Sequence, residues 1–180
     1  IENITANGNA KLNGNFAFGA GTITNGVTFN DTSAMTGNIS SNGRIGSIVL
    51  NDSSTIGGTF SLSGGASSVH GISLLDSASI TGYISRAGSS SISKILIDGS
   101  NMGGSGNGTP KLAGNITMDG TSAIANGITI SNGGTYAGTI HTRNQTDIDS
   151  ITIASGGVVG SSNANSTILS SGNSTIHNID

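Results

Sequence analysis

GITISNGGTYAGTIHTRNQTDI, Gly127 to Ile148, decides the fold. Ile128 and Ile130 stand two apart, and Gly138 follows Ile130 by eight residues. Ile140 follows Gly138 by two, Ile148 follows Ile140 by eight, and Ile151 opens the next unit. Apolar residues two apart mark a strand, whose alternate side chains face one way. The Asn, Gly and Thr between the pairs are turn formers. No segment carries the i, i+3, i+4 pattern of an amphipathic helix.

The same ruler fits the rest of the chain. Units start at Ile4, Val27, Ile48, Ile72, Ile95, Ile128 and Ile151, with a last start at Ile179. That gives about seven coils of 21–33 residues, each with three short strands. Strands this short bury little singly, so they must stack like over like, about 4.8 Å per coil, into a rod about 34 Å long. The predicted fold class is all-β: a right-handed parallel β-helix, with residues 1–180 as one solenoid segment. Ile1 and Ile4 match Ile176 and Ile179 in phase, and neither end shows a capping repeat. A segment of a longer solenoid is therefore expected. The fifth coil runs long because of an inserted loop, residues 99–110, GSNMGGSGNGTP. In the seventh coil the second strand is placed at Ser166 to Ile168, with Gly160 as a rival anchor.

Parity predicts the inward positions. The second strand reads apolar-Gly-apolar, with an inward glycine column of Gly14, Gly37, Gly58, Gly82, Gly114 and Gly138. Such a glycine makes room for a large neighbour or bends the strand. Tyr136 is the polar member of its column and needs a hydroxyl partner if buried. In the third strand a small hydroxyl residue precedes the apolar one by two: Ser67, Ser90, Ser122, Thr146 and Ser174. These hydroxyls are expected to bond to backbone.

Composition narrows the function classes. The chain has 30 glycines, one proline and only 8% charged residues, for a net charge of −3. Regularly placed Ile, Leu and Val exclude a disordered linker. Lys11, Arg44, Arg86, Lys94, Lys111 and Arg143 are scattered along the sequence, so no footprint for nucleic acid is read. No apolar run is long enough to insert in a membrane as a helix. With no cysteine, disulfides, thiolate metal sites and cysteine nucleophiles are excluded.

One column offers chemistry. Asp31, Asp52 and Asp76 each follow the first strand's last inward residue by two and should stack in successive coils. Stacked carboxylates suit turns, a hard cation such as calcium, or paired acids acting on a polysaccharide. The turn reading is preferred, since each Asp is followed closely by Ser or Thr. His70 and His177 share a coil position several coils apart, and His141 lies elsewhere, so no zinc site is expected. Asp147 and Asp149 flank Ile148 and should face solvent. An outward row (Thr28, Val49, Ser73, Leu96, Thr129, Thr152) is broken by Val49 and Leu96, against a flat ice-binding face. No catalytic residues and no cofactor are assigned.

The strings NGVTF (residues 25–29), TGNIS (36–40), GSIVL (46–50), TGYIS (81–85), AGNIT (113–117), NGITI (126–130) and AGTIH (137–141) carry a resemblance. The chain resembles the passenger domains of Gram-negative type V autotransporters, closest in texture to adhesins and vacuolating-cytotoxin-like passengers. The resemblance spans nearly the whole chain. It implies a right-handed β-helix, export through the outer membrane, a cell-surface or secreted setting and an adhesive or toxin-related role. The proteolytic branch is set aside, because no GDSG-like stretch is present. The expected function is thus a non-catalytic surface scaffold for adhesion, self-association or display. Its expected partners are other copies of itself, or host or surface glycans or proteins, with no nucleic acid and no membrane insertion. Two alternatives stay open: a polysaccharide lyase or hydrolase using the Asp column, and an oligomerising toxin-type passenger.

Overall fold

Ile4, Val27, Ile48, Ile72, Ile95, Ile128, Ile151 and Ile179 form one unbroken parallel ladder, each paired with the next. A computed structural model describes residues 1–65, 67–100, 108–154, 156–160 and 167–180. Among these there is no helix. Parallel strands form one ten-stranded and two seven-stranded sheets, the three faces of a β-solenoid.

The faces are cut differently from the sequence reading. On the long face, the third strand of one coil runs straight into the first strand of the next, as in Arg44–Leu50, Ser68–Leu75, Ser91–Asp98 and Asp147–Ile153. Where Gly26 (φ 111°) and Gly127 (φ 73°) intervene, the run breaks in two. The expected second strand is in fact two strands on two faces. Thr135–Tyr136 belongs to one seven-stranded sheet and Ile140–Thr142 to the other. Gly138 lies at the corner between them.

This corrects the role of the glycine column. A Cβ at Gly37, Gly58, Gly82, Gly114 or Gly138 would stand 1.9, 2.1, 2.0, 1.8 or 2.2 Å from the carbonyl oxygen of Gly14, Gly37, Gly58, Gly82 or Gly114. The missing side chains would point along the stack into the coil beneath, not inward. Glycine is required because backbone passes over backbone at the corner.

The core is a set of columns. Met35, Ile56, Ile80, Leu112 and Tyr136 stack on one short face, and Ile39, Phe60, Ile84, Ile116 and Ile140 on the other, all at most 2% exposed. Burying an aliphatic side chain this fully contributes roughly 1.5–3 kcal/mol. Because each residue sits on its like, removing one leaves a gap flanked by columns that cannot close. Burial holds the Tyr136 hydroxyl well above the usual phenol range, while a hydrogen bond with the Ile116 backbone partly opposes this.

The hydroxyl column meets the expectation at Ser67 and Ser174, where Ser174 Oγ donates to the Ser171 carbonyl at 2.8 Å, and departs from it between them. Ser67 Oγ donates to the Gly64 carbonyl at 3.2 Å. The buried hydroxyls of Ser90, Ser122 and Thr146 have no partner among the described residues.

Arg86 is the strongest anomaly. It stacks between Leu62 and Met118 and is 1% exposed. Its Nη2 donates to the Ser90 carbonyl, while Nε and Nη1 have no partner among the described residues. Burial lowers its pKa to about 10.

In the seventh coil, Val158–Val159 pairs with Thr135–Tyr136, and Ile168–Ser170 pairs with Ile140–Thr142. Ile168 is on its expected rung, and Ser166 lies outside the described residues. Gly160 follows Val159 at the start of the corner. The 99–110 loop lies partly outside them too. At its base, Gly108 N–H donates to the Gly99 carbonyl at 3.2 Å.

Gly82→Ala should cost about 3 kcal/mol in denaturant unfolding, since only backbone is there to move. Gly65→Ala, where a Cβ meets nothing within 4 Å, should change stability by less than about 0.5 kcal/mol. For Arg86 the folded pKa lies below its unfolded value, so its charge opposes folding at neutral pH. That penalty should fade as pH rises from about 10 toward 12.5. Arg86→Met should therefore stabilise the protein at pH 7 by about 1–4 kcal/mol, read from the same unfolding curves.

Candidate functional site

The Asp column is real, and it sits where the chain turns off the long face. Asp31, Asp52 and Asp76 have φ of 59°, 57° and 57°, and Gly8 (φ 61°) and Asn132 (φ 49°) take the same left-handed corner in the first and sixth coils. Asp tolerates that conformation better than most residues do. Its carboxylate then reaches to the next coil. Asp31 Oδ2 accepts from Gly8 N–H at 2.7 Å, and Asp52 Oδ2 accepts from Asp31 N–H at 3.0 Å. Two of the three carboxylates thus satisfy backbone donors one coil away, while the buried Oδ1 of Asp76 has no hydrogen-bond partner among the described residues. Among the described residues no group of three His, Cys, Asp or Glu side chains converges to hold a metal ion.

Asparagine ladders run beside this corner. Asn30 Nδ2 donates to Asn7 Oδ1, and Asn51 Nδ2 to Asn30 Oδ1, both at 2.7 Å. At the glycine corner, Asn15, Asn38 and Asn115 side-chain oxygens accept from the N–H of Asn38, Thr59 and Thr139 at 2.8, 2.7 and 2.9 Å. These ladders are structural: each bonds coil to coil.

The histidines are dispersed as expected. His141 lies beside Arg143 on a short face, with ring nitrogens 3.2 and 3.3 Å from the guanidinium. His177 Nε2 is 2.9 Å from Asp147 Oδ1.

A concavity that crosses successive coils lies on the long face, which the sequence reading did not single out. It is a groove of about 490 Å³, floored by Ile23, Ile45, Val69 and Ile92. One wall is the aligned row Thr22, Arg44, Ser68 and Ser91. The other is Thr24, Gly46, His70, Ser93 and Ala125, each one residue past its floor residue. Lys94 is paired with Gly71, and a Cβ at Gly71 would stand 3.4 Å from Lys94 Cγ and 3.7 Å from Lys94 Cε. The bare glycine thus lets the lysine stem lie back across the coil of His70. Arg44, His70 and Lys94, far apart in sequence, come onto three successive coils, offset along the strand by two residues and then one. All three are exposed. The groove lining contains no Asp or Glu and no Phe, Tyr or Trp. Asp147 aligns one rung beyond Ala123, past the groove's end.

Asp52→Asn keeps an acceptor and the left-handed tolerance, so it should shift stability by less than about 0.5 kcal/mol, while Asp52→Ala should cost about 2 kcal/mol. Thermal unfolding checks both. Calcium titrated calorimetrically into the wild type and Asp52→Asn should give the same heats; a calcium heat lost in the variant would restore the cation reading.

Comparison with protein-family models, curated proteins and solved structures returns no match. The chain is a parallel β-solenoid in which Asp31 and Asp52 are tied to backbone and Arg44 and His70 line a groove on the long face.

Proposed function

We propose that this protein is a non-catalytic scaffold: the β-helical stalk of an exported autotransporter passenger, serving adhesion, self-association or display at a bacterial surface. The unbroken register from Ile4 to Ile179 supports this reading most directly. A coil repeated with so little variation makes a stiff rod with long outer faces, and stiffness with surface is what a stalk supplies. The resemblance of the GxI-type strings supports the exported setting. Lack of cysteine suits passage through an oxidising compartment.

The enzyme reading needs free acids facing a substrate. In the Asp column, Asp31 and Asp52 each already accept a backbone N–H, and the groove is lined by donors with no carboxylate to act as acid or base. The purified protein, incubated with polyuronates and sulfated polysaccharides, should release no unsaturated or reducing ends. Beads coated with it should clump or be retained on cell-coated surfaces. Turnover that is lost in Asp52→Asn would replace the scaffold reading with the enzyme.

A further inference from the structure

We infer that the groove over Ile23, Ile45, Val69 and Ile92 binds a linear acidic polysaccharide lying along the solenoid axis. The inference deepens the scaffold reading, on which it rests only for its surface setting, by naming what the stalk would hold.

Shape selects an extended ligand. The groove crosses successive coils, so whatever fills it runs parallel to the axis and meets an equivalent set of positions at each rung, about 4.8 Å apart. That period is close to the length of one sugar ring in an extended glycan. A compact ligand would leave most of the trough empty.

Charge selects an anion. The protein is net negative at −3, yet the groove lining carries Arg44 and His70 and no Asp or Glu. Lys94 adds a third basic group, laid toward the same rungs by the bare Gly71. Arg44 and Lys94, two coils apart with no acid between them, give a local field opposite to that of the whole molecule. Between them the hydroxyls of Thr22, Ser68, Ser91 and Ser93 face the trough, and these donate or accept as sugar hydroxyls require.

The remaining chemistry separates polysaccharide from other polyanions and from peptide. Single-stranded nucleic acid binds on aromatic platforms with a basic track, and the groove has no Phe, Tyr or Trp and few cations. An extended peptide binds by adding a strand to a free edge. Here the strands in the middle of the groove are paired on both sides, Ser68–Leu75 between Arg44–Leu50 and Ser91–Asp98; Thr22–Ile23, at the groove's end, pairs on one side only, so a strand added there would lie across the axis and not along the trough.

Calorimetry on the whole chain tests the assignment. The probes are a sulfated octasaccharide of the heparin type, an oligogalacturonate octamer, a neutral dextran oligomer and a single-stranded oligothymidylate. At least one acidic oligosaccharide should bind, the dextran should not, and added salt should weaken binding. Which acidic probe binds distinguishes sulfate from carboxylate recognition. The exposed-residue double variant Arg44→Gln/Lys94→Gln should keep the wild-type circular dichroism spectrum and lose roughly tenfold or more in affinity. Asp147→Asn, beyond the groove, should not weaken binding. The inference is overturned if neither acidic probe binds at millimolar concentration, if the double variant binds as the wild type does, or if the oligothymidylate binds more tightly than both sugars. Absent binding leaves the scaffold intact as a reading, whereas cleavage of a bound probe removes scaffold and inference together.

Discussion

A carbonyl oxygen about 2 Å from the place a Cβ would occupy, repeated from Gly14 to Gly138, is the constraint on which the solenoid depends. At that corner one backbone lies directly on another, with no side chain to hold them apart. The corner therefore sets the stacking distance at backbone hydrogen-bonding range and turns the chain between its two short faces. Two-residue strands such as Thr55–Ile56 and Ser79–Ile80 cannot be stable alone. They exist because the glycine corner delivers each onto its predecessor in register, where the columns of Ile and Leu bury themselves.

Stacking also determines how polar groups are satisfied. A solenoid turns three times per coil, and each turn frees backbone donors and acceptors that must be paired. Here the next coil pairs them. Asp31 and Asp52 take N–H groups at the left-handed corner, Asn15, Asn38 and Asn115 take them at the glycine corner, and amides of Asn7, Asn30 and Asn51 bond to one another. Short polar side chains do this well because their reach matches one coil spacing. This explains a chain so rich in Asn, Ser and Thr and so poor in long charged residues. Arg86 breaks the rule: a long cation held in a column built for Leu62 and Met118, with two of its nitrogens unanswered among the described residues.

Much of this was legible in the sequence because the apolar period is what burial enforces. Every unit start from Ile4 to Ile179 falls on one ladder, and Ile168 takes its expected rung despite the long seventh coil. The corners were less legible. An apolar-Gly-apolar triplet has the same spacing whether the glycine faces inward in one strand or turns the chain between two, and only the stacked backbone distinguishes them. The joining of third and first strands into single runs such as Ser91–Asp98 was hidden for a related reason: nothing in SISKILID marks a break, and the ruler had imposed one. The Asp column was found but its partners were not, because a carboxylate bonding to the coil beneath leaves no local pattern.

The groove was missed because its residues were counted along the chain instead of up the stack. Arg44, His70 and Lys94 are 26 and 24 residues apart, near one coil each, and the ruler itself would have brought them together. Their position is also where the fold leaves most freedom. Inward columns are fixed by packing and corners by backbone contact, so variation without loss of the fold is confined to outward positions. On the long face the outward rows are mostly Thr, Ser and other small residues, as at Thr22, Ser68, Ser91 and Ser93. Against that background Arg44, His70 and Lys94 contribute nothing to the stacking that a serine would not. The proposed recognition of an acidic polysaccharide accounts for basic side chains placed on a face that the fold does not need to be basic.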